Sequence, residues 1–374
     1  MAEAAGPESA PSLGILAEVD DDHVTRTQIV RAALELDVIP AVAAGNHDAE
    51  AIARVTGCST AGMRVLLDAL CALKLLRWSD GAYALTPTAE AYLDPGSPAN
   101  CAEIFLDDLR AWDRFTETVR TGRMQTDYAS AGSDRVWAAW AAHQLRNWPN
   151  DLPTYRERWQ GLGVTASSMP DARILDVGCG SALATLVLVL DLPRATVTGL
   201  DREAVIEVAG RLADALGVGP RASFIAGDVT SLRDLSGTFD IVFSGHVFKF
   251  LNPDQIGAAL HQARRLLAPG GRVVISEVLA DPGDYEHTEQ YLLAAWVFNV
   301  APRGRIYTLA EYGAMLSEAG FGPAHRLEGT SWFQAEAPSW SAQRKEMEPG
   351  GTSRKGASLW PSSGCDPFTQ DVPT

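Results

Sequence analysis

Three acids and two glycines are the first residues of this 374-residue chain whose types and spacing could do chemistry. Asp176 stands two residues before Gly178, and Gly180 follows after Cys179, in Leu175-Asp176-Val177-Gly178-Cys179-Gly180-Ser181. An apolar run before the glycines and a longer one after them, Ala182 to Leu190, read as strand, tight turn and helix, the opening of a nucleotide-binding α/β unit. Glycine at 178 and 180 lets backbone approach a ligand closely. The third glycine of a dinucleotide fingerprint is replaced by Leu183. Asp176 suits an ammonium group and would repel a pyrophosphate, and no phosphate-loop Gly-Lys-Ser/Thr occurs. The cofactor this suggests is S-adenosyl-L-methionine (SAM), which carries an amino acid and a sulfonium and no phosphate. Asp201 and Asp228 close two further strand-like runs, where they could accept the ribose hydroxyls and the adenine amino group. With Arg202, Val229 and Ser244 beside the same strand ends, they complete the candidate cofactor set. A single Asp at a strand end is commonly a helix cap or a turn residue, so the joint spacing carries the reading.

The elements that must position these residues alternate as a βαβ array does. Strands are predicted at Arg173–Val177, Thr196–Leu200, Ser223–Ala226, Phe239–Ser244 and Arg272–Val278, with shorter ones at Ala324–Leu327 and Ser331–Ala335. Helices are predicted at Ala182–Leu190, Arg202–Leu216, Pro253–Leu267 and Leu309–Ala319. This Rossmann-like SAM-binding domain spans 166–336. Before it, 99–165 reads as a helical connector broken near Gly122, Gly132 and Pro149. Trp137, Trp140, Gln144 and Trp148 fall near one face of it, either packing on the next domain or lining a pocket for a flat substrate. Residues 21–98 read as a winged helix: a long first helix ended by Pro40 and Gly45, a short helix over Asp48–Val55, a third capped by Ser59, and a hairpin turned by Ser79-Asp80-Gly81. Residues 1–20 and 337–374 are expected to be disordered.

Charge and composition exclude several functions. The formal net charge is −16, which argues against nucleic acid or an anionic membrane as partner. Residues 1–100 hold fourteen Asp/Glu against six Lys/Arg, so a winged helix there is poorly suited to phosphate neutralisation. We read it as a dimerisation module, with a DNA-binding regulator as a poor rival. Five scattered cysteines without a C-x-x-C pair indicate reduced thiols, neither a zinc site nor a disulfide framework. No run is apolar enough over a sufficient length to span a bilayer, and no signal peptide is visible. A cytoplasmic enzyme is expected.

The motifs Leu-Asp-Val-Gly-Cys-Gly, Thr-Gly-Leu-Asp, Ala-Gly-Asp-Val, Leu-Ala-Pro-Gly-Gly-Arg-Val-Val-Ile and Tyr-Thr-Leu-Ala-Glu-Tyr follow one another in order. With the preceding winged helix, the chain resembles the class I SAM-dependent methyltransferases of the small-molecule O-methyltransferase type, which include the caffeate, acetylserotonin and bacterial natural-product enzymes. The resemblance implies a homodimer through the N-terminal domain, SAM in the C-terminal domain and a small, aromatic or cyclic substrate between them. It also implies a histidine general base after the fourth strand, and here the chain departs: that position holds Lys249, with His246 three residues earlier. Of two supporting glutamates, Glu277 is kept and the other is Ile306. Lysine takes a proton at neutral pH only when burial depresses its pKa by about three units. Lys249 could thus be a desolvated base, a charged group stabilising an ionised acceptor, or a plain surface lysine. His246, Lys249, Glu277 and His143 are the catalytic candidates, with His287 a further histidine. Trp140, Gln144, Trp148, Trp296 and Asn299 are the substrate candidates. No metal is expected, for no ligand spacing supports one. Methyl transfer to oxygen is the default the resemblance implies. Carbon or nitrogen methylation needs less base assistance, and a SAM-retaining enzyme recruited to hydroxylation, decarboxylation or pericyclic chemistry is the alternative.

Overall fold

The computed structural model describes residues 21–338 except 98, 99, 125, 126, 129, 231, 281, 282, 284, 286 and 287. The expected disorder of 1–20 and of 339–374 lies outside these residues, as does His287. Ala337, placed by sequence in the tail, is instead packed, its N–H donating to the Gly271 carbonyl. The chain forms two units, residues 1–110 and 111–374.

In the first unit, α1 (Asp21–Glu35), α2 (Val38–Ala43), α3 (Ala49–Thr56) and α4 (Thr60–Ala72) precede a hairpin of β1 (Leu76–Ser79) and β2 (Ala82–Leu85), followed by α5 (Pro87–Tyr92). The expected long first helix is two helices. Asp37, in the left-handed conformation at φ 54°, breaks it after Glu35. Pro40 therefore falls in the first turn of α2, where its missing N–H would have had no helical partner. Asp48 and Ser59 cap α3 and α4 through Ala51 N–H and Gly62 N–H. Asp80 and Gly81 both have positive φ, the requirement of the tight hairpin turn their sequence announces. Ile39, Ile52, Leu67 and Leu70 are fully enclosed at the centre of this unit.

The second unit begins with α6 (Ala102–Trp112), which crosses its boundary, then α7 (Phe115–Thr121) and the 28-residue α8 (Asp134–Gly161). Contrary to the expected break, α8 runs through Pro149 and Pro153. Each proline removes one ladder bond, but the helix beyond them is held by burial. Trp159 is 1% exposed, donates Nε1–H to the Ala184 carbonyl at 2.5 Å, and packs on the rings of Phe243 and Trp332.

A seven-stranded sheet follows: β3 (Arg173–Val177), β4 (Thr196–Asp201), β5 (Ala222–Ala226), β6 (Phe239–Gly245), β7 (Leu267–Ser276), β8 (His325–Arg326) and β9 (Trp332–Glu336). Its spatial order is β5-β4-β3-β6-β7-β9-β8, parallel except where β9 runs antiparallel to β7 and β8 to β9. The connecting helices are α9 (Leu183–Asp191), α10 (Glu203–Ala215), α11 (Pro253–Leu266), α12 (Thr288–Val300) and α13 (Leu309–Glu318). β3 lies mid-sheet and is buried from Ile174 to Val177, which explains its unbroken apolar run. Paired caps at Asn252/Gln255 and Thr308/Glu311 start α11 and α13. The chain winds outward from β3 to β5, then returns to β6 and β7 on the other side. The carboxyl ends of β3 and β6 thus border the crevice where open α/β sheets bind ligands.

Candidate active site

Three strand ends meet at Gly178. It adopts φ +72°, and a Cβ there would lie 2.3 Å from Val247 Cγ2 and 3.4 Å from Val229 Cγ1. The turn after β3 is thereby packed against the residues after β5 and β6, a contact open to glycine alone. Asp176 points into the protein at 1% exposure. Its Oδ2 accepts Thr185 Oγ1–H at 2.6 Å, whereas Oδ1 lacks a hydrogen-bond partner among the described residues. Burial, helped by the nearby Asp201 and opposed by Thr185, pushes its carboxyl pKa up to about 7. Asp201 closes β4 and clasps both sides of the crevice, Oδ2 accepting Gly180 N–H at 2.8 Å and Oδ1 accepting Arg202 N–H at 2.8 Å. Each oxygen keeps a second lone pair for a ligand hydroxyl. Ser244, near the end of β6, is 2% exposed and its Oγ has no partner among the described residues.

Two sequence candidates also hold protein partners. The Arg202 side chain reaches back to the connector, donating to Asp134 Oδ1 at 2.6 Å and to the Ser130 carbonyl at 2.7 Å. Asp228 is exposed, and its Oδ1 accepts both N–H and Oγ1–H of Thr230, a local turn of the kind its residue type favours.

The segment after β6 wraps around one carboxylate. Glu277, 1% exposed at the end of β7, accepts Phe248 N–H at 2.7 Å and Lys249 N–H at 3.4 Å on Oε1. Lys249 Nζ lies 3.6 Å from Glu277 Oε2, an ion-pair distance too long for a good hydrogen bond. Lys249 is 5% exposed, so the plain surface lysine allowed by sequence is excluded. Burial lowers its pKa and Glu277 opposes that; burial likewise raises the Glu277 pKa and Lys249 opposes it. His246 has φ +59° and an exposed side chain. Crowding by surrounding protein, then the Lys249 charge, lower its pKa. The imidazole is therefore neutral at pH 7.

The row on α8 divides. Trp137 joins Tyr128, Phe250 and Trp296 in one aromatic group, with ring centroids 4.9 Å (Trp137–Phe250), 5.9 Å (Phe250–Trp296) and 6.0 Å (Tyr128–Trp296) apart. Trp140 and His143 are exposed, with their rings edge to face. Gln144 Oε1 accepts Ser181 Oγ–H at 2.9 Å, tying α8 to the glycine turn. Trp148 packs against the core that holds Trp159, and Asn299 is 2% exposed with its Nδ2–H committed to the Ala111 carbonyl. Sequence reading did not find Thr185, Ser181, Asp134, Tyr128 or Phe250. None has a distinctive type or spacing, and each matters here only through a partner nine or more positions away.

Comparison with known proteins identifies the lineage. Residues 22–95 match the O-methyltransferase dimerisation domain and residues 174–271 a methyltransferase domain. Over 317 residues the chain is 31% identical to acetylserotonin O-methyltransferase of Mus musculus, covering 79% of this chain and 80% of that one. The chain belongs to the SAM-dependent O-methyltransferases. It is also 29% identical over 299 residues to the 3-hydroxy-5-methyl-1-naphthoate 3-O-methyltransferase of Streptomyces sahachiroi, covering 79% and 86% of the two chains. The crystal structure of human N-acetylserotonin methyltransferase in complex with SAM shares the fold, with a TM-score of 0.62 at 21% identity over 89% of this chain and all of that one.

The crevice of this O-methyltransferase fits SAM. A buried polar atom without a partner is costly, and two of them, Asp176 Oδ1 and Ser244 Oγ, stand at the adjacent ends of β3 and β6. Acids at these ends suit a cationic ligand, and Gly178 and Gly180 add no side chain of their own to the turn. Among the described residues no cluster of His, Cys, Asp and Glu could hold a metal.

Proposed function

We propose that this O-methyltransferase methylates a hydroxyl oxygen of a small, planar aromatic metabolite, with His246 receiving the hydroxyl proton. When bound, SAM supplies an electrophilic methyl group on a sulfonium centre. Asp176 and Ser244 would hold its amino-acid end, the Gly178–Gly180 turn its backbone-contacting side, Asp201 its ribose, and Asp228 with Val229 its base. The observation that carries the reading is the place of His246: an exposed imidazole one residue before Val247, which itself packs on Gly178. A neutral imidazole can take a phenolic proton near pH 7, and positioning beside the methyl donor supplies much of the remaining acceleration. Tyr128, Trp137, Phe250 and Trp296 support a flat acceptor through area and stacking, with exposed Trp140 and His143 on the same helix as Trp137. The relatives are named for acetylserotonin and for a hydroxynaphthoate, both consistent with this class.

Incubating the protein with methyl-labelled SAM and a panel of phenols, hydroxynaphthoates and hydroxyindoles tests the reading. Label on the acceptor oxygen is expected, and label on carbon or nitrogen would move the acceptor atom. A second reading rests on Lys249 standing at the usual base position: retention of SAM without methyl transfer, for hydroxylation, decarboxylation or pericyclic chemistry. Acceptor conversion without label would establish it.

We further infer that α2–α4 and the β1–β2 hairpin act as a winged-helix module that pairs two copies of the chain. Exposed Val65 (72%) and Trp78 (55%) support this, as does the family to which residues 22–95 belong. The acidity of the unit disfavours DNA. The free thiols Cys58, Cys71, Cys101 and Cys179 support a reducing, cytoplasmic setting.

A further inference from the structure

Lys249 occupies the position that the resemblance gives to a general base, but its surroundings give its nitrogen a different task. Nζ–H donates to the His246 carbonyl at 2.6 Å, Glu277 Oε2 lies 3.6 Å away, and the Phe250 ring centroid lies 4.9 Å away. A base must present a lone pair to its substrate. This nitrogen is instead enclosed by a carbonyl, a carboxylate and a ring, in a residue 5% exposed.

The same residues close a knot around the turn. Phe248 and Lys249 N–H both point at Glu277 Oε1, and His246 N–H donates to the Ser276 carbonyl at 2.8 Å. Gly304 presses on the far side of the turn, since a Cβ there would lie 2.1 Å from the Lys249 carbonyl oxygen. At the centre of the knot is a non-glycine residue at φ +59°, His246, a conformation that persists only when its surroundings impose it. The Lys249 ammonium is the group bonded directly to the carbonyl of that residue.

We propose that Lys249 is a positioning residue which, with Glu277 as counter-ion, locks His246 in the left-handed conformation and so holds its imidazole at the mouth of the cofactor crevice. The base has in effect moved one turn along the segment, and the vacated position has become its clamp. This rests on the reading of His246 as proton acceptor. The charged and titratable groups facing the clamp are Lys249 on the turn itself, Glu277 from the end of β7, and Tyr312 from α13, which senses Glu277. Lys249 holds the His246 pKa down, so removing its charge raises that pKa.

The test is NMR titration of the imidazoles in wild type, K249M and K249R, with H246Q to assign the resonance. No substrate is needed. In wild type, His246 is expected to titrate below the usual value of about 6.5. In K249M its pKa rises by at least about half a unit, and the crystal structure of that variant shows φ leaving the positive region. K249R keeps both properties near wild type. If K249M does not fold, as judged by circular dichroism, K249Q carries the same readouts. A folded K249M or K249Q with unchanged His246 titration and φ still positive overturns the proposal. Kinetically, K249M is expected to lose roughly tenfold or more in kcat with little change in KM, because an interaction realised in the transition state is lost, while K249R retains most activity. K249R as inactive as K249M, together with full activity in H246Q, makes Lys249 the base and also overturns it. Failure of wild type to transfer methyl to any acceptor defeats the functional reading instead, and leaves the titration result standing.

Discussion

Asp176 carries a pH dependence of stability at the scale of single residues. Folded, it keeps its proton up to about pH 7, while in the unfolded chain it releases the proton near 3.8. Its contribution to stability is therefore fully present below about pH 3.8 and is lost as pH rises through about 7, an effect of order a few kcal/mol. In urea unfolding of the ligand-free protein between pH 4.5 and 8, the difference between wild type and D176N should shrink as pH rises, through loss of wild-type stability. A pH-independent difference would refute the assigned titration. SAM, whose ammonium favours the ionised carboxylate, should bind wild type more tightly at pH 8 than at pH 6 by calorimetry. Gly178 is the second such residue. G178A forces a side chain into Val247 at a positive φ, costing about 1–3 kcal/mol and most of the SAM affinity; unfolding and calorimetry read the two losses separately.

At the scale of elements, α8 ties the connector to the cofactor turn. It passes through two prolines and is fastened to the SAM-binding domain near its start by Asp134–Arg202, in its middle by Gln144–Ser181 and near its end by Trp159. W159A should cost about 3–5 kcal/mol, the range for emptying a large aromatic site, as measured by denaturant midpoint. The Gln144–Ser181 pair is testable by a double-mutant cycle of Q144A and S181A. A coupling of about 0.5–1.5 kcal/mol is expected for a neutral hydrogen bond, and additive single effects would show that the two residues do not work together. Both variants should also weaken SAM binding, because Ser181 adjoins Gly180 in the cofactor turn.

For the whole molecule, two features act together: the acidic balance of −16 and an N-terminal unit with exposed apolar residues. The charge disfavours polyanions as partners, and the proposed pairing of two copies would bury the exposed apolar residues. Sedimentation should therefore give twice the chain mass of 40.0 kDa. Val65→Asp combined with Trp78→Asp should shift it toward monomer without abolishing SAM binding, since the cofactor residues all lie in the second unit.

Local pattern was enough to specify the alternating strands and helices of residues 173–276, the helix at Leu309–Glu318, the capped helices of the first unit and the cofactor turn. Each rests on hydrophobic period, a cap or a glycine, all of which act over a few residues. The same holds for SAM: Asp176 and its two glycines lie within five positions. Only the tertiary structure decided that α8 survives Pro149, that Arg202 serves Asp134 while Asn299 serves Ala111, and that Lys249 is buried against Glu277. Those outcomes depend on partners between 25 and 188 positions away, and on burial, which sets the state of an ionisable group but leaves no trace in its neighbours along the chain. The cofactor turn is a local structure and could be read as one. The proposed proton acceptor, His246, has a positive φ and bonds through its N–H to Ser276 on β7, and that had to be seen folded.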